Sequence, residues 1–207
     1  MRFLFAIIVL LALGKAEAAR AQSPTEMDVR TQKALAEHPD SGVLIVDAGM
    51  LNTKGEPMYC QDAGLALVNA ETSKVTMILT ASRKIIGDDD NGAAVLMPSG
   101  TYVIAAFGCD VGRLQNRYRG QFAKVTVRAG EVLSAGTLVI DYNTDGALIR
   151  PTFSGSAHVE DYSPKTLASL KKRCPATLAR AKRSPLIVLS GIERKKDASP
   201  SKPTEPH

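Results

Sequence analysis

Thiols, imidazoles and one acidic run are the groups in this chain that could attack a substrate or hold a metal. The thiols are Cys60, Cys109 and Cys174, and the imidazoles are His38, His158 and His207. A thiol nucleophile needs a base within hydrogen-bond reach. His158, Asp161 and Cys174 are the grouping that suggests such a pair. The plainer reading is a loop histidine and a helix cysteine packed on the core. Ser169 and Lys172 match S-x-x-K, but the partner motifs of that chemistry are missing, and there is no G-x-S-x-G elbow. The histidines are far apart and no C-x-x-C occurs, which argues against zinc. Asp88-Asp89-Asp90-Asn91-Gly92 offers oxygen ligands to calcium. With Gly92 at the sixth position of an EF-hand loop, Gly87 falls at the first and Pro98 at the twelfth, where side-chain oxygens are needed. The run reads as an acidic, solvated turn.

Glycine patterns for phosphate or dinucleotide binding are absent. The chain has no tryptophan and few aromatic residues, which weakens the case for a sugar-stacking platform. These absences predict a protein without catalytic residues, cofactor or metal.

The N-terminus predicts the compartment. Arg2 precedes an apolar run from Phe3 to Leu13, and Ala16-Glu17-Ala18 and Ala19-Arg20-Ala21 follow. This is the layout of a cleavable secretory signal over residues 1–21. The run is shorter than the roughly 20 residues that cross a bilayer. No cysteine for lipid attachment lies near it, and no twin arginine precedes it. The expected location is periplasmic or secreted. The formal charge of +5 is partly carried by the leader through Arg2, Lys15 and Arg20. Mild basicity permits contact with anionic polymers without demanding it. Export argues against a nucleic-acid target, for which Arg113, Arg117 and Arg119 with Tyr118, or the basic helix, would be the contacts.

An oxidising compartment turns three cysteines into a disulfide question. Three bridges are possible. Cys60–Cys109 is favoured, because both residues belong to candidate β-core segments. Pairing of Cys174 with either stays open.

The elements that position these residues are short and mostly extended. Residues 22–41 are a polar arm with helical character at 28–37. From Gly42, short apolar or alternating runs recur at 43–46, 65–68, 75–80, 93–97, 101–109, 122–127 and 136–142, with Gly, Asn, Asp or Pro between them. Seven short strands at this spacing predict an antiparallel β-sandwich over residues 42–143. Thr101–Cys109 is apolar on both faces, which predicts a central strand covered on both sides. Residues 113–120 read as a basic loop. Residues 144–192 form a helical appendage packed on the sandwich. Ser163 caps it, Pro164 opens it, and Leu167, Leu170, Cys174 and Leu178 recur at helical spacing. Pro175 makes it one kinked helix or two short ones. Residues 186–189 add an edge strand, and 193–207 form a disordered tail.

The middle third resembles a known family. Pro98-Ser99-Gly100-Thr101-Tyr102, then Phe122 to Val132 with its Ala129-Gly130-Glu131 turn, then Gly136-Thr137-Leu138, is similar to the pattern of secreted bacterial prealbumin-like or carboxypeptidase-regulatory-like sandwich domains. The resemblance covers residues 42–142. It implies a β-sandwich, an Ala-Gly-Glu turn joining neighbouring strands, and an envelope role in adhesion, scaffolding or binding. It implies no catalytic residues.

The expected function is a non-enzymatic structural or binding module of the cell envelope, with an envelope protein or polymer as partner. A thiol-dependent or hydrolytic enzyme using Cys174 and His158 is the alternative. A third reading is contact with an anionic membrane or glycan through Lys171, Lys172, Arg173, Arg180, Lys182 and Arg183.

Overall fold

The computed structural model describes residues 25–82, 90–111, 114–145 and 152–189. In chain order these residues form α1 (Glu26–Glu37), β1 (Ser41–Leu51), β2 (Asp62–Asn69), β3 (Val75–Ser82), β4 (Asp90–Asn91), β5 (Ala93–Pro98), β6 (Gly100–Val111), β7 (Leu114–Val127), β8 (Val132–Asp145) and β9 (Thr152–Glu160). Then follow α2 (Pro164–Arg173), α3 (Pro175–Ala179), β10 (Lys182–Arg183) and β11 (Ile187–Val188).

The strands make two sheets. The first runs β10-β8-β1-β5, with β9 also paired to β8. The second runs β11-β7-β6-β2-β3-β4. Leu44, Val46, Leu65, Leu67, Ile104, Phe107, Phe122, Leu138 and Ile140 meet between them in one fully buried cluster. Each such side chain contributes about 1.5–3 kcal/mol by leaving water. All seven expected strands are present within this sandwich. The 49-residue link between Cys60 and Cys109 is closed by a disulfide, as expected, with the Cα atoms 5.1 Å apart. Closing a loop of that length stabilises the fold by about 4 kcal/mol in the chain-entropy account.

Several expectations need correction. The sandwich does not end at residue 143. β9 pairs antiparallel with β8 from Thr137↔Glu160 to Asp145↔Thr152, so the first part of the expected appendage belongs to the sheet. The expected basic loop at 113–120 is strand from Leu114 onward, because β6 and β7 form one long hairpin. Arg117 and Arg119 point to solvent, and the Tyr118 ring stacks on Phe107 at 6.1 Å. The Ala129-Gly130-Glu131 turn does not join neighbours in a sheet. It carries the chain from β7 in the second sheet to β8 in the first. That crossing lets β8 lie parallel to β1 inside a mostly antiparallel fold.

The strand buried on both faces is β1, not β6. Leu44 and Val46 face the other sheet, while Val43 and Ile45 face Leu170, Cys174 and Val132 under the helices. The N-terminal segment is thus more than an arm. Met27 and Leu35 of α1 join this second cluster with Leu178 of α3. β6 keeps one buried face (Tyr102, Ile104, Phe107, Cys109), while Val103, Ala105 and Ala106 on its other face are only partly covered. Small residues there make a segment read as apolar on both faces without requiring a cover.

Pro175 divides the tail into two helices, one of the two expected forms, and β11 pairs with β7 as the expected edge strand. Residues 1–21, expected to be a leader, residues 83–89 with Asp88 and Asp89, and residues 193–207, expected to be a disordered tail, lie outside the described residues.

Candidate functional site

A polar layer lies between the helices and the first sheet. The Thr25 hydroxyl caps α1 by accepting from the Asp28 N–H, and the Asp28 carboxylate accepts from the Thr25 N–H in return. The same carboxylate is fully buried and reaches the start of α3. It accepts from the N–H of Ala176 at 3.1 Å, the N–H of Thr177 at 2.7 Å and the Thr177 hydroxyl at 2.8 Å. Pro175 opens α3, and Cys174 offers no side-chain cap. Asp28 therefore caps a helix far along the chain. Burial pushes its pKa up, but the bonds from Thr177, Ala176 and Thr25 outweigh that and hold it below the usual value. The T-x-x-D pattern before a helix was the sequence signal for this residue.

Asp47 sits where the β1–β8 register shifts. Its carboxylate accepts from the Thr166 hydroxyl at 2.7 Å and the Ala48 N–H at 2.9 Å. Burial dominates here and raises the pKa. Tyr162 bridges the same irregularity. Its hydroxyl donates to the Ile45 carbonyl at 2.8 Å and accepts from the Gly136 N–H at 3.2 Å. Gly136 has φ +83°, and a Cβ there would stand 2.6 Å from the Glu160 carbonyl oxygen, so only glycine fits.

Of the six expected anionic-contact residues, five are exposed and Arg173 is half-buried. Arg173 turns inward, and its Nη2 donates to the carbonyls of Asn91, at 2.7 Å, and Gly92. Lys182 meets Glu131 at 3.0 Å, and Arg183 meets Asp161 at 2.7 Å. Both of these cations stay exposed, as do Lys171, Lys172 and Arg180 on α2 and just after α3.

The Cys–His grouping is not assembled either. Cys174 is fully buried as a free thiol, and burial raises its pKa. Both ring nitrogens of His158 are engaged, Nδ1 with Asp141 at 2.9 Å and Nε2 with Glu160 at 3.0 Å. Burial lowers the pKa of His158, but the two carboxylates outweigh it and hold the ring above its usual value. Ser169 accepts from the Asn91 N–H at 3.0 Å, which ties α2 to β4. Among the described residues no group of three metal-ligating side chains converges, and no helix is long and apolar enough to cross a membrane.

Concave surface among the described residues includes two features. A cleft of about 390 Å³ lies between β9, Tyr162, Leu178 and β10, with the Arg183–Asp161 pair at its rim. The other is on the outer face of the second sheet. Val75, Met77 and Leu79 alternate along β3 and are 61, 70 and 60% exposed. Beside them Gly64, Ala66, Ala106 and Gly108 leave a shallow groove of about 250 Å³, bounded by the Arg117–Asp110 pair. Arg119 and Lys124 of β7 are exposed alongside. Among the described residues no helix packs on this face, whereas three helices cover the outer face of the first sheet.

No protein-family profile matches the chain, and no curated protein does. Among solved structures it is similar to a leucine-rich repeat protein from Bacteroides thetaiotaomicron, at 13% identity and a TM-score of 0.34. The match covers 47% of this chain and 13% of that one, so this chain spans a small part of that protein. A likeness this slight carries no argument.

Proposed function

We propose that this chain is an exported, non-enzymatic binding module of the cell envelope. Its sandwich is of the prealbumin-like or carboxypeptidase-regulatory-like kind. It docks an envelope protein on the outer face of its second sheet. The observation that carries this reading is the asymmetry between the two outer faces. Helices cover one, and a row of exposed apolar side chains lies on the other. Such a row is the usual mark of an interaction site. The cations Arg119 and Lys124 beside it favour a partner segment that is apolar with an acidic border.

Export is supported by the leader-like residues 1–21 and by the Cys60–Cys109 bridge, which suits an oxidising compartment. The inward turn of Arg173 takes one of the six cations away from an anionic-surface contact. The burial of Cys174 weighs against a thiol enzyme.

The test is photo-crosslinking in the native envelope. A crosslinking residue at Met77 should give a defined product with a second protein, lost when Leu79→Glu is added. The same residue at Lys171, on the helical side, should not give it. Equal products from both positions, or none with another protein from Met77, would refute the proposal.

A further inference from the structure

The outer sides of β8 and β7 are covered at least in part, while β5 and β9 each have a described partner on one side alone. β9 and β10 lie along β8, and β11 pairs with β7 at Lys124 and Ala123. β3 is different. On the side away from β2 it pairs with β4 only at Ala81 and Ser82, and the Gly92 N–H takes the Thr80 carbonyl. From Val75 to Leu79 no described strand lies on that side.

The backbone of this stretch is set for pairing. Its ladder with β2 is regular from Val75 to Leu79. The Asn69 N–H donates to the Lys74 carbonyl, so residues in phase with Lys74 bond toward β2. The N–H and C=O of Val75 and Met77 therefore point to the open side. Their side chains, with Leu79, are the exposed apolar row. From Val75 to Ser82 there is no charge and no proline, the features that ordinarily protect an edge.

We infer that β3 pairs with β3 of a second copy, antiparallel, about a two-fold axis at Met77. In that register Met77 faces Met77 of the other copy, and Val75 faces Leu79 in both directions. The Met77 pair exchanges two backbone hydrogen bonds, as its outward groups require. Lys74 falls opposite Thr80, so no like charges meet. The contact is self-complementary and closes after two copies. It joins two six-stranded sheets into one and sets six apolar side chains on a single face. β4 limits the new ladder to five residues per copy. That is well below the roughly 800 Å² per partner of a standard interface, so the dimer is weak, with a Kd of the order of micromolar or higher. The pairing stands on the backbone of β3 and not on the docking proposed above.

Sedimentation velocity on the mature chain, from about 1 µM to about 1 mM, tests it. The wild type should shift from monomer toward dimer as concentration rises. Met77→Lys, which sets two ammonium groups across the axis at a surface position, should weaken the dimer at least about tenfold. Met77→Cys should form an interchain disulfide under mild oxidation, and Leu79→Cys should not, because Leu79 faces Val75. A monomer throughout, a dimer indifferent to Met77→Lys, or equal crosslinking at both positions would overturn the inference. So would an edge that takes an extended apolar peptide while the chain stays monomeric. If the dimer fails while the Met77 crosslink to an envelope protein persists, the docking proposal stands and this one falls.

Discussion

The Asp28 carboxylate accepts both the N–H and the hydroxyl of Thr177, 149 residues further along the chain. That contact joins the first helix to the last and closes the helical layer over β1. Asp28→Ala should remove the cap of α3 and the return bond of the α1 capping box together. It also leaves the buried N–H of Thr177 and the half-buried N–H of Ala176 without their acceptor. The expected loss is about 2–4 kcal/mol in urea unfolding. Thr177→Val should cost about 1 kcal/mol, and the pair should be strongly non-additive.

The two buried carboxylates should give opposite pH signatures. The pKa of Asp28 is held below its unfolded value, so its contribution is present above about pH 3.8 and lost as pH falls through the folded pKa. The pKa of Asp47 is raised by burial, so stability falls as pH rises from about 3.8 through its folded pKa. Asp28→Asn should therefore flatten the acid limb of the stability profile. Asp47→Asn should remove the decline at mildly acid pH. Unfolding free energies between about pH 2 and 7 check both, and the same sign for the two variants would contradict the assignment.

His158 should add a third slope. Burial lowers its pKa, but Glu160 and Asp141 raise it by more. Its stabilising contribution is complete below about pH 6.5 and disappears as pH rises through the folded pKa. The protection of β9 amides, measured relative to intrinsic exchange at each pH, should fall over that range in the wild type and not in His158→Gln.

The basic residues should divide into two kinds. Arg173→Ala strips the donor from the carbonyls of Asn91 and Gly92 and should cost about 2–3 kcal/mol. Lys171→Ala, at an exposed position, should stay within about 0.5 kcal/mol. Thermal unfolding of the two variants separates them.

What could be read from the sequence follows what is local. Alternation and turn residues marked seven strands, and Ser163-Pro164 marked the start of α2. β9 escaped because Thr152 to Glu160 carries glycine, serine and a histidine, with no apolar run to announce it. The parallel pairing of β1 with β8 depends on where the chain crosses between sheets, which no local pattern records. The run Val43–Val46 and the segment Thr101–Cys109 look alike in composition, yet only the first has helices over its second face. Asp28 completes a T-x-x-D helix start that the expected arm over residues 22–41 did not include, while its partner Thr177 lies at the other end of the chain. The exposed row on β3 was visible only as an alternation, since exposure depends on what covers a sheet.

Methionine oxidation tests the central claim most directly, because Met77 is 70% exposed while Met50 and Met97 are buried. In dilute purified protein Met77 should be oxidised readily and Met50 and Met97 hardly at all. In the intact envelope Met77 should become protected, because a partner lies on the face it occupies. Oxidation of Met77 at the same rate in both settings would contradict the account.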